Sequence, residues 1–256
     1  MEKLKYIPIL MYHNILERKN SKEWNNYCLE PGKLARQLDY LLKKKYTTLD
    51  FADLEEIING GKTCPKNPIM LTFDDAYSDT LENAMPLLIS RDMKGIFPVV
   101  TDYIGKASDW EKYLPSYITV TREQVSNNKS PLISFESHTS KHTHLTLLTP
   151  KELNLDLVGS KDLIESITGV KVRAVFYPYG SYNDKVKNAS AKAGYKFGLA
   201  IATTKKTVNE DLFEMRRVFI KSSDSLFAFK RKISAWYLRY RGLREPGRSM
   251  KSRKEE

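Results

Sequence analysis

Pro68-Ile-Met-Leu-Thr-Phe-Asp-Asp-Ala-Tyr-Ser-Asp79 decides how the rest of the chain is read. Ile69 to Phe73 is a continuous apolar and β-branched run, the mark of a strand buried on both faces. It stops at two adjacent carboxylates, Asp74 and Asp75. Neighbouring carboxylates repel, and at a buried strand end they are costly unless a cation lies against them. Side chains alternate across a strand, so the chain must turn out of it here if both are to serve one site. Taken alone, Asp-Asp after a strand also reads as a helix N-cap and a turn.

A second stretch, Leu132 to Leu145, decides between these readings. It is another short apolar strand followed by His138, His142 and His144, three of the 4 histidines of the chain. The H-x3-H spacing predicts both imidazoles on one side of a helical turn, about 6 Å apart along its axis. His144 offers a substitute for His142, and a polar loop with solvent-facing histidines is the plain alternative. Combined with the Asp-Asp strand end, one carboxylate and two neutral imidazoles compose a facial metal site with open positions.

The chain has 256 residues, 29% charged and 41% hydrophobic, an ordinary globular balance sufficient for one large domain or two small ones. Cys28 and Cys64 match no disulfide framework and no metal spacing. No apolar run reaches bilayer length. Near the start, Lys3 and Lys5 precede Ile7 to Met11, an apolar run too short for a signal peptide and without a cleavage site. The expectation is a cytoplasmic chain, or an extracellular one shorn of its leader.

Outward from the two strands, the pattern alternates. Tyr6 to Ile15 reads as the first buried strand, closing on His13. Pro31 to Tyr46 is an amphipathic helix, followed by a short strand at Tyr46 to Leu49 and a helix from Phe51 to Asn59. A helix near Asp79 to Ser90 and a strand near Gly95 to Val100 follow. Thr101 to Val120 reads as a loop whose Trp110, Tyr113 and Tyr117 suit either sugar stacking or rim packing. Thr149 and Glu152 form a capping box that opens a helix to Ile167. Strands at Val172 to Tyr177, Phe197 to Ala202 and Met215 to Ile220 complete the series, with a helix at Asp184 to Ala193. Strand and helix in alternation predict a parallel sheet, and His13, Asp74, Asp75, His138 and Tyr179 all fall at or beyond strand ends.

Three motifs in order resemble those of the polysaccharide deacetylases, metal-dependent carbohydrate esterases that remove N- or O-acetyl groups from sugars. Thr72-Phe-Asp-Asp-Ala76 is similar to the family's T-F-D-D-G, and His138-Thr-Ser-Lys-His142 to its H-[ST]-x-x-H. Arg173 to Gly180 is similar to its third motif, built around a Pro-Tyr or Pro-Phe pair. The resemblance runs from Pro8 to Ile220. Met11-Tyr12-His13 further resembles the opening strand of the branch that contains biofilm poly-N-acetylglucosamine deacetylases.

That resemblance implies an α/β fold, a distorted (β/α) barrel of about seven parallel strands forming a single domain over residues 1–224. It implies one divalent ion, most simply zinc with cobalt or nickel as substitutes, held by Asp75, His138 and His142. It makes Asp74 the general base, His13 the catalytic acid and the Tyr179 backbone N–H an oxyanion donor. The implied partner is an N-acetylated oligo- or polysaccharide, such as poly-N-acetylglucosamine, peptidoglycan or a related cell-surface glycan. Two other classes stay open: a metal-dependent hydrolase of another non-peptide amide, and a catalytically silent carbohydrate-binding domain.

Three departures stand out. Ala76 replaces the motif glycine, and Phe176 stands where many relatives carry an arginine that orients the base. Arg173 is the nearest basic residue for that task. The last is that enzymes acting on wall or biofilm polymers are normally exported whereas no leader is read here, which leaves room for an intracellular or lipid-linked acetamido sugar. The net charge of +11 is concentrated at the end: from Lys221 onward 11 Lys and Arg face 4 Asp and Glu, a balance of +7. Residues 225–240 read as a basic amphipathic helix packed on the barrel, and 241–256 as a basic disordered tail. Such a segment also suits an anionic membrane surface or polymer. No nucleic-acid motif accompanies the charge.

Overall fold

The computed structural model describes residues 7–17, 26–110, 116–201, 211–234 and 237. In chain order the strands are β1 (Ile9–Tyr12), β2 (Asn14–Ile15), β3 (Cys28–Leu29), β4 (Thr47–Thr48), β5 (Pro68–Phe73) and β6 (Gly95–Val99). Then come β7 (Ile133–Ser137), β8 (Ala174–Phe176), β9 (Phe197–Ala200), β10 (Met215–Arg216) and β11 (Val218–Phe219). The helices are α1 (Pro31–Lys43), α2 (Phe51–Ile58), α3 (Ser78–Ile89), α4 (Arg122–Ser126), α5 (Pro150–Thr168), α6 (Asp184–Lys192) and α7 (Leu226–Lys232).

The sheet runs in the order β10-β9-β8-β7-β6-β5-β1-β11, and its strand pairs are parallel. β10 and β11 are two halves of one stretch, parted by Arg217. The first half pairs with β9, Met215 opposite Leu199, and the second with β1, Val218 opposite Leu10. The last stave therefore reaches both ends of the sheet. The result is the expected distorted (β/α) barrel, nearly closed, with seven staves when β10 and β11 are taken as one.

Alternation along each strand divides the core. Ile9, Met70, Ile96, Ala174, Phe176 and Phe197 form one cluster together with Phe51, Leu54 and Ile57 of α2. Their strand neighbours Leu10, Leu71, Phe97 and Val175 belong to a larger cluster with the surrounding helices. The Phe51 ring lies 5.9 Å from Phe176 and 5.2 Å from Phe197, so α2 plugs the amino-terminal end of the barrel. Truncating such an aromatic to alanine costs about 3–5 kcal/mol. With that end sealed, chemistry is left to the carboxyl-terminal end.

The capping box predicted at Thr149 and Glu152 opens α5, which ends at Gly169 in the left-handed conformation at φ 70°. α1 stops at Lys43, short of the predicted Tyr46, where the chain turns toward β4. α4, unread in the sequence, is a short capped helix within a stretch of mixed polarity. α7 is capped by Ser225 and buries Phe229 beneath Tyr40 of α1. Most of the stretch predicted helical beyond Ser234, and the predicted 241–256 tail, lie outside the described residues. Among the described residues no helix is long and apolar enough to cross a membrane.

Candidate metal centre and catalytic cavity

β5 ends at Phe73, and the chain leaves it through one 3-10 turn, Asp74–Ala76. Asp75 takes φ 67° and Ala76 φ 45°, so the backbone swings through the left-handed region and buries both carboxylates at one place. A non-glycine residue there costs roughly 1–2 kcal/mol, which accounts for the glycine of the family motif at the position of Ala76.

The second ligand segment departs from expectation. His138 to His142 is a loop beyond β7, not a helical turn. Thr139 at φ 69° and His142 at φ 54° fold it back on itself, and Thr139 Oγ1 accepts the His142 amide at 3.2 Å. This tighter path carries both imidazoles to Asp75, whose Oδ1 lies 3.3 Å from His138 Nε2 and 3.4 Å from His142 Nε2. Of seven non-glycine residues described with positive φ, five (Asp75, Ala76, Thr139, His142 and Tyr179) cluster at this end of the barrel. Strain so localised marks a site held open by its surroundings.

The donor set fits a metal ion. The ligand atoms of Asp75, His138 and His142 lie within 4.8 Å of one another, and all three residues are buried. Bonds of about 2.0–2.1 Å in a tetrahedral N/O site place ligand atoms about 3.3–3.4 Å apart, the spacing seen around Asp75. Asp75 Oδ1 is buried with no hydrogen-bond partner among the described residues. His138 Nδ1 donates to the Phe176 carbonyl at 2.8 Å, which leaves Nε2 as the free donor atom. Burial works against the Asp75 charge, but the two imidazoles hold its carboxyl well below the usual range. Burial pushes His142 down to about 3, so that ring is neutral at physiological pH. For His138 burial acts downward, yet Asp75 and Asp74 raise it above its ordinary value. His144 is outside the cluster, exposed and stacked on Tyr179 at 4.2 Å.

Asp74 is held by a residue that sequence reasoning missed. Arg217 Nη1 donates to Asp74 Oδ1 at 2.5 Å and to Thr72 Oγ1 at 3.2 Å, and Nε donates to the Ala200 carbonyl at 3.3 Å. Its guanidinium lies over the Phe176 ring. Arg173, the candidate from the sequence, instead pairs with Glu55 at 2.8 Å, because it precedes β8 and therefore sits at the sealed end of the barrel. The available signal is Arg216-Arg217 inside the stretch that reads as the last strand, since a charge drawn into a barrel requires a partner.

His13, Asp74, Asp75, His138, His142, Tyr179 and Arg217 line one cavity of about 380 Å³. His13 packs edge-on against Tyr27 and Phe219, and its Nδ1 has no partner among the described residues. Burial lowers its pKa, while Asp74 and Asp75 pull the other way. Tyr179 takes φ 57° in the Pro-Tyr-Gly turn and sets its ring 4.8 Å from that of His142. Gly180 follows at φ 65°, where an added Cβ would press on Ile201. Trp110 and Tyr117 form further walls; Tyr113 lies outside the described residues.

A parallel barrel with an Asp-His-His cluster and a separate arginine-held carboxylate at its open end defines a hydrolase site of metal-dependent type. The family profile described as polysaccharide deacetylase matches residues 61–198, and the chain belongs to that family, hydrolases of carbon–nitrogen bonds other than peptide bonds. YxkH of Bacillus subtilis (strain 168), described as a polysaccharide deacetylase, is 27% identical over 228 residues, covering 89% of this chain and 76% of its own. The poly-beta-1,6-N-acetyl-D-glucosamine N-deacetylase of Staphylococcus aureus (strain MSSA476) is 26% identical over 227 residues, 85% of this chain and 74% of its own. Among solved structures, the Streptococcus pyogenes deacetylase PplD in complex with acetate shares the fold. Its TM-score is 0.79 at 24% identity, over 90% of this chain and 99% of that one.

Proposed function

We propose that this chain is a glycan N-deacetylase that hydrolyses the acetamido group of N-acetylglucosamine units in a cell-surface polymer. One zinc ion would be held by Asp75, His138 and His142. The observation that carries the reading is the convergence on one cavity of these three donors, the arginine-held Asp74 and the histidine His13. When bound, the ion supplies Lewis-acid polarisation of the acetyl carbonyl and lowers the pKa of its water to about 7.

The chain's own groups divide the remaining work. Asp74, fixed by Arg217, takes the proton of the attacking water. The Tyr179 backbone N–H donates to the oxygen that becomes negative as the carbonyl carbon turns tetrahedral. His13 gives a proton to the departing nitrogen, which leaves poorly as an anion. Its burial makes a proton held there easier to release. Trp110, Tyr117 and Tyr27 line the cavity wall and give it apolar surface against which a sugar ring can pack. A base and an acid facing the same cavity are needless in a silent binding module, which argues against that reading.

The test is acetate release from N-acetylglucosamine oligomers before and after chelation, with zinc, cobalt or nickel restored. Release that disappears with the chelator and returns with the ion supports the assignment. A folded chain that binds one ion and frees no acetate from these oligomers under any of the three metals would redirect the search to a different amide.

A further inference from the structure

The loop bearing His138 and His142 contains two left-handed residues and no glycine. Its shape is gripped from α5. The Asp156 carboxylate accepts the Ser140 amide through Oδ1 at 3.0 Å. Ser140 Oγ returns a bond to the Asp156 carbonyl at 3.0 Å. One helical turn later Ser160 Oγ meets Ser137 Oγ at 2.8 Å, and Ser137 Oγ accepts the Thr139 amide at 3.1 Å. Tyr195 steadies Ser160 from the far side at 3.1 Å. The loop carbonyls are taken from the opposite flank, Thr139 by the Thr101 amide at 3.1 Å and Ser140 by the Asp102 amide at 3.0 Å.

Asp156 is 7% exposed and Ser160 fully buried. They stand four residues apart, hence on one face of α5. A buried carboxylate is tolerated when backbone N–H groups surround it, and such charge-assisted bonds are strong and directional. Here that bond falls on Ser140, midway between the two histidines.

We propose that Asp156, backed by Ser160, is a positioning residue that sets the separation of His138 and His142. α5 is thereby part of the metal centre although it contributes no ligand. This inference rests on the reading of Asp75, His138 and His142 as metal ligands. A residue that orients ligands through the backbone acts on affinity as outer partners of metal ligands do, by about 10–100-fold.

The experiment uses the full chain as wild type, D156A, D156N and L54A, the last a core truncation at the sealed end of the barrel. Hydrogen exchange is followed in the metal-free proteins, and each is then titrated with zinc against a chromogenic chelator. In D156A the Ser140 amide should exchange about tenfold faster or more while β6 amides do not change, and zinc affinity should fall about 10–100-fold. D156N keeps the shape and one acceptor oxygen, so it should fall between D156A and wild type; it also carries the test if D156A does not fold. L54A should lose thermal stability and keep both loop exchange and zinc affinity. Unchanged exchange in both Asp156 variants, or an affinity loss in L54A equal to that of D156A, overturns the proposal. Faster loop exchange in D156A alongside a wild type that takes no zinc would sink the metal assignment while the grip of α5 on the loop stands.

Discussion

At the sealed end of the barrel the charged groups are paired, whereas at the open end several buried polar atoms have no partner among the described residues. At the sealed end Lys94 bridges Asp50 at 2.8 Å and Asp53 at 2.5 Å, and Lys62 meets Asp53 at 2.5 Å. Glu136 accepts the Arg173 and Ala174 amides at 2.8 Å each. At the open end Asp75 Oδ1, His142 Nδ1, His13 Nδ1, Asn14 Nδ2 and Arg217 Nη2 are buried without a hydrogen-bond partner among the described residues. Each unmatched buried group costs about 1–3 kcal/mol. A fold bears that expense where a ligand completes the bonding, which fits the proposal that one end of this barrel holds the structure and the other binds the substrate.

The sharpest way to break this contrast is to remove groups from the open end one at a time. Asp75→Ala should abolish retention of the ion, measured as metal content after dialysis, and with it acetate release. Asp74→Asn should retain the ion and lose turnover by about 10²–10⁴-fold, the span of general-base contributions; full activity in that variant would falsify the assignment of the base. Next in size is Arg217→Met, which leaves Asp74 buried beside no cation. A loss of about 3–5 kcal/mol in denaturant unfolding is expected, together with slower turnover.

The sealed end gives subtler effects. Burial raises Glu136 to about 8 from an ordinary 4.5, against the two amides that favour its charge. The folded chain thus holds a proton that the unfolded chain releases. Its contribution is complete below about pH 4.5 and falls as pH rises toward 8. Glu136→Gln should flatten that portion of a stability–pH profile, and a profile that keeps its slope would assign the titration elsewhere. Smallest of all is Arg173→Ala. It removes a partly exposed ion pair with Glu55, so under about 1 kcal/mol of stability should be lost and acetate release should hold. A collapse of turnover there would restore Arg173 to the site.

How much of this was legible depends on how local each cause is. The strand Pro68–Phe73, the turn-out at Asp74 and the α5 capping box all follow from short-range patterns, and they stand where the sequence puts them. H-x3-H spacing is shared by helical turns and by folded-back loops, so the sequence leaves both open at His138 to His142; tertiary bonds from Asp156 and Thr101 decide for the loop. Arg217 was missed for a related reason. Arg217 and Asp74 are 143 positions apart, and only closure of the barrel brings them together.

The residue types and their order determined by themselves that this chain forms alternating strands and helices, that its carboxylates and imidazoles end two buried strands, and that its motifs are those of a deacetylase. Those properties depend on side-chain chemistry and on periods of two and 3.6 residues, which neighbours along the chain express directly. Which arginine holds Asp74, how His142 reaches Asp75 and which helix supports the loop were decided by the nearly closed sheet alone. A hydrogen bond across a barrel depends on register and curvature summed over the whole ring, and no local window of sequence contains that sum.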